Sequence, residues 1–106
     1  MKLQSTPPIP VLFRTDKRDK TITAWFPTIP SEPNYYLYCQ TYEHVGQHGS
    51  GSMDYMTRET RAATQEEYAP LLRELTEQVG YTLRVVKRIT HKMTLERIQT
   101  GRELNK

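Results

Sequence analysis

Apolar and polar positions alternate with period two along residues 21–26, TITAWF, where Ile22, Ala24 and Phe26 fall on one side of an extended chain. β-branched and aromatic side chains suit a pleated surface, so this run predicts a strand whose Ile22 face meets the core. Residues 11–14, VLFR, predict a shorter strand before it. The charged group TDKRDK at 15–20 predicts the turn between the two, because nothing in it is cheap to bury. Pro27, Pro30 and Pro33 end the second strand, each lacking a backbone donor. Residues 35–42, YYLYCQTY, predict a third strand with Tyr35, Leu37, Cys39 and Thr41 on one face and Tyr36, Tyr38, Gln40 and Tyr42 on the other.

The period changes at Thr64. Thr64-Gln65-Glu66-Glu67 has the capping-box spacing, and Tyr68, Leu71, Leu72, Leu75 and Val79 make one apolar stripe after it. Pro70 falls within the first two turns, and Gly80 stands where a left-handed C-cap is wanted, so one helix is expected, packed on one face of the sheet. Before it, residues 53–60 predict a short fourth strand; after it, residues 81–89, YTLRVVKRI, predict a last and interior strand. Beyond Thr90 the pattern weakens: Leu95 and Ile98 suit a short helix, Gly101 and the charge a polar tail. The expected class is α+β, a small and mostly antiparallel sheet of four to five strands in the order β-β-β-(β)-α-β. Its organisation is a proline-rich arm at 1–10, one domain at 11–90 and a basic tail or short helix at 91–106.

The length of 106 residues suits a single domain, and the modest apolar share with seven tyrosines implies a core built partly of amphipathic rings. A lone cysteine, Cys39, excludes an intrachain disulfide, and MKLQSTPPIP lacks the apolar run of a secretory signal or membrane span. A cytoplasmic protein without a membrane partner is therefore expected. The net charge of +3 is uneven: from Arg84 onward seven basic residues face two acidic ones, which leaves the preceding part at −2. Such a basic segment fits either an anionic partner or a solvated tail.

Three pieces of the chain carry a resemblance. They are Phe26-Pro27-x-Ile29-Pro30, then Tyr42-x-His44-x-Gly46-Gln47-His48, and Ala63-Thr64-x-x-Glu67-Tyr68 followed by Gly80-Tyr81-x-Leu83-Arg84-Val85-Val86-Lys87-Arg88. Together they resemble a group of short, uncharacterised bacterial and phage-borne proteins over roughly residues 11–92. The resemblance implies a bacterial or mobile-element context and no activity.

The loop EHVGQHGSGSMDY, residues 43–55, gathers the candidate chemistry. His44 and His48 share a helix face at spacing four, but Gly46 and Gly49 oppose a helix, and on a continuous strand the rings would stand about 13 Å apart. Only a reversal at Gly46 lets them meet, with Asp54 or Glu43 as a third ligand or an orienting carboxylate. The glycines lack the spacing and lysine of a phosphate-binding P-loop, and a buried strand thiol at Cys39 is ordinary packing.

The leading expectation is a non-enzymatic interaction or accessory module whose partner is a macromolecule, another protein first, meeting it through Glu43, His44, Gln47, His48 and Asp54. The alternative is a nucleic-acid-binding module in which Tyr36, Tyr38 and Tyr42 stack bases beside Arg84, Lys87 and Arg88. A metal protein or His-dependent enzyme is the third reading. No catalytic residue, metal ligand set or cofactor is assigned.

Overall fold

A computed structural model describes residues 8–31, 37–44 and 47–104, with Gln47 described through its backbone. Strand β1 (Ile9–Asp16) is central and pairs antiparallel with β2 (Ile22–Pro30) through a turn at residues 17–19. Asp16 builds that turn: its Oδ1 accepts the backbone N–H groups of Arg18 and Asp19, and Lys20 takes a positive φ of 65° to close it. β2 pairs with β3 (Tyr38–Glu43), and β3 with β4 (Gln47–Ser52). The far edge of β1 is shared by β5 (Thr60–Ala62), antiparallel, and β6 (Leu83–Val85), parallel, which gives a mixed six-stranded sheet in the order β4-β3-β2-β1-β5.

Strand alternation loads both faces with apolar groups. Val11, Phe13, Ala24, Phe26 and Tyr42 point to one side, where Leu71 and Leu75 cover them. Leu12, Trp25 and Cys39 point to the other and meet Met56. The covering helix on the first face is α2 (Gln65–Arg73), continued by one wide π-helical stretch at Glu74–Val79. Its start is the expected capping box, with both reciprocal bonds made between Thr64 and Glu67, and its end is Gly80 at φ 93°.

The expectation of a single helix on one face is corrected. The second face is covered by α1 (Met53–Glu59) and α3 (His91–Leu104), the latter lying across β2. Of residues 53–60, expected as a strand, 53–59 are helical and only Thr60 is extended, because Ser52 caps the Tyr55 N–H and Asp54 pairs with Arg58 one turn on. The Gly-Ser run before them, read as loop, is strand β4: glycine there removes a collision, since a Cβ on Gly51 would stand 2.1 Å from the Trp25 ring. The expected interior strand at 81–89 shrinks to β6, which has Arg84 and Val85 exposed and, among the described residues, only β1 as neighbour. In α3, Met93, Arg97 and Gly101 recur every four residues and form the buried stripe. The segment expected as a tail or short helix is thus packed onto the sheet. Among the described residues no helix is long and apolar enough to cross a membrane.

Candidate functional site

The β3–β4 hairpin decides the histidine question. Glu43 pairs with Gln47 and Tyr42 with His48, so the chain does reverse between them; Val45 and Gly46 themselves lie outside the described residues. Both histidines come to the α2 side of the sheet. His44 Nδ1 lies 2.5 Å from Oε1 of Glu74, and the other carboxylate oxygen of Glu74 accepts the hydroxyl of Tyr42. The His48 ring stands edge-on to Tyr42 at 4.8 Å, and its Nε2 is 3.3 Å from the Tyr81 hydroxyl. Glu74 is nearly buried while the His44 side chain is 82% exposed, so a sunken carboxylate anchors a solvent-facing ring.

This arrangement orients an imidazole as acid–base sites do. A cleft of about 300 Å³ lies beside it, lined by Thr21, Ile22, Glu43, His44, Glu67, Pro70 and Leu71, which offer a carboxylate-rich wall and no thiol or cation. Asp54 is elsewhere: it sits on α1, over the opposite face, and is paired with Arg58. Among the described residues no cluster of three or more His, Cys, Asp or Glu side chains is placed to hold a metal ion. Cys39 is fully buried, and burial pushes its thiol up to about 12.

The predicted tyrosine and arginine platform does not assemble. Tyr36 lies outside the described residues, Tyr42 is 1% exposed in the core, and Tyr38 is half-exposed on β3. Strands β2 and β1 stand between β3 and β6, a lateral separation of roughly 14 Å at ordinary strand spacing. Leu83 packs toward α2, so the alternation turns Arg84 to the opposite face from the tyrosines.

Lys87 and Arg88 instead meet two arginines that the sequence reading passed over. Val86 donates its N–H to the Val11 carbonyl, extending the β6 pairing and holding the next residues beside β1. Leu12 and Arg14 lie on that face of β1, α1 contributes Met53, Met56 and Thr57, and α3 contributes Thr94 and Arg97. These groups enclose a cleft of about 390 Å³ lined by Arg14, Lys87, Arg88 and Arg97 and, among the described residues, by no aspartate or glutamate.

Both inner arginines donate to neutral oxygens. Arg14 donates from Nε to Thr60 Oγ1 at 2.9 Å and from Nη2 to the carbonyls of Thr60 and Met56 at 2.8 and 3.4 Å. Arg97, 4% exposed, donates to the Pro27 carbonyl at 2.7 Å. Burial holds both guanidinium groups below their ordinary pKa, which records the cost of desolvating their charge. Like charges lining one cleft repel, and an anion between them turns that penalty into attraction. The one advance signal for these residues was pattern: Arg14 is the charged position in an apolar strand, and Arg97 interrupts the apolar stripe between Met93 and Gly101.

Comparison with known protein families, with curated proteins and with solved structures found no match to this chain. They add nothing to the resemblance drawn from the sequence.

Proposed function

We propose that this protein is a binding module whose working surface is the cationic cleft between β1, α1, α3 and the chain after β6. Its ligand is nucleic acid, recognised first through phosphate. The observation that carries the reading is the convergence of Arg14, Lys87, Arg88 and Arg97 on one cleft with, among the described residues, no acidic side chain in its lining. Phosphate contacts from such side chains supply most sequence-independent affinity for nucleic acid. The division of labour within the cleft supports it as well: Arg14 and Arg97 are fixed by backbone carbonyls, whereas Lys87 and Arg88 are exposed and able to reach out. The test is the combined substitution Lys87→Gln and Arg88→Gln, both at exposed positions. Binding of a labelled single-stranded oligonucleotide should fall at least tenfold with the circular dichroism spectrum unchanged; unaltered affinity would exclude this surface.

A protein partner docking on the hairpin end is the second reading, favoured by the exposed yet anchored His44 ring. His44→Ala separates the two, because it lies on the other side of the sheet and should leave oligonucleotide binding intact.

A further inference from the structure

The charges described above line a concavity rather than a stripe, and this shapes what can enter. A backbone-tracking surface lets a strand run through; a cleft of about 390 Å³ has the size of a small-ligand site and admits one nucleotide rather than a continuous helix. Its walls also differ in chemistry. Leu12, Met53, Met56 and Ile89 give it an apolar side, opposite in character to the four cations. Methionine thioethers are soft partners for the faces and edges of aromatic rings, and a nucleobase is such a ring. Thr57, whose hydroxyl donates to the Met53 carbonyl, adds an acceptor, and Thr94 adds a second hydroxyl.

Resting on the nucleic-acid reading, we infer that the cleft holds the terminal nucleotide of a single strand, its phosphate monoester on the cations and its base against the methionine wall. A terminal monoester carries about −1.5 to −2 charges at neutral pH, against −1 for an internal diester, so four cations around one small space favour the end over the middle. The first turn of α3 adds to this: Thr90 caps it by accepting the Met93 N–H, and Thr94 brings that turn to the cleft. The positive end of a 14-residue helix therefore supplements the side-chain charge.

The experiment uses the full chain with its methionine methyl groups labelled for NMR, Met93 serving as a packed control beyond the cleft lining. Three forms of one short DNA oligonucleotide are titrated, with a 5′-phosphate, with a 3′-phosphate and with neither, and adenosine monophosphate and dodecyl phosphate are titrated separately. The expected result is at least tenfold tighter binding of one phosphorylated form, the tighter one identifying which end is read. Adenosine monophosphate should move the Met53 and Met56 methyl resonances and leave Met93 in place. Equal affinity for all three oligonucleotides with Met53 and Met56 unmoved overturns the inference, while oligonucleotide binding in that case leaves the nucleic-acid reading standing. Methyl shifts with dodecyl phosphate but not with adenosine monophosphate overturn it too, and assign the cleft to an anionic lipid. Absence of binding to any oligonucleotide overturns both.

Discussion

Gly51 lies flat against the indole of Trp25: a Cβ there would stand 2.1 Å from Cζ3 and 2.4 Å from Cη2. The partner is a buried ring, so it has no free end to swing away. Gly51→Ala should cost about 1–3 kcal/mol as an overpacked core does, read by urea unfolding through the single tryptophan. Gly49→Ala meets only Thr41 Oγ1 at 3.1 Å, and the strand preference of alanine, about 0.5–1 kcal/mol, should offset the squeeze. Equal losses at the two positions would refute the packing argument.

Glu74 bonds both the Tyr42 hydroxyl and the His44 ring from a buried position at the start of the π-helical stretch. Tyr42→Phe removes a donor from a buried carboxylate and should cost about 1–3 kcal/mol. Its effect should be non-additive with that of His44→Ala, since both act on one carboxylate. Strict additivity in a double-mutant cycle would show that the shared carboxylate does not couple them.

Arg61 holds the Glu67 carboxyl down to about 2, with help from the Thr64 N–H. Because the folded value lies below the ordinary one, the stabilisation is present above about pH 4.5 and is lost as pH falls toward 2. Glu67→Gln should flatten the acid side of the stability profile in that window, and added salt should shrink the difference because the pair is partly exposed. Thr64→Ala, which opens the same capping box, should cost about 1 kcal/mol at all pH values. Parallel acid profiles for the native chain and Glu67→Gln would contradict this.

Cys39, on β3, is buried against Met56 of α1, and its thiol, pushed up to about 12, stays neutral at pH 8. A thiolate-selective reagent should label it only as fast as the fold opens. Rapid labelling of the native protein would show that the second face is less closed than described.

Signals between near neighbours made part of this fold readable. The capping box at Thr64, the stripe from Tyr68 to Leu75 and the stop at Gly80 each bind residues a few positions apart, and the helix follows them, whereas Val79, expected in the stripe, is exposed. Ile22, Ala24 and Phe26 face the core as their alternation says. Illegible were features whose cause lies far along the chain. The glycines of β4 look like a loop until Trp25 is seen beneath Gly51, and α1 looked like a strand because its β-prone Tyr55 and Thr57 outweighed the Ser52 cap. The same holds for the site. Lys87 and Arg88 stood out in a basic run, but Arg14 and Arg97 reach them only through the β1–β6 pairing and the docking of α3 on β2.

The central claim, that the cleft of Arg14, Lys87, Arg88 and Arg97 binds nucleic acid through phosphate, is tested most directly by salt. Each neutralised phosphate charge on a single strand contributes about −0.7 to the slope of log affinity against log salt, so a terminal monoester of about −1.5 to −2 charges in the cleft should give a slope of roughly −1 to −1.5. Fluorescence anisotropy of a labelled single-stranded oligonucleotide between about 50 and 200 mM salt measures it. The account predicts that slope for the native chain and one shallower by at most about 0.7 when Arg88 is exchanged for Gln. A flat response, or the same slope in both proteins, would contradict it.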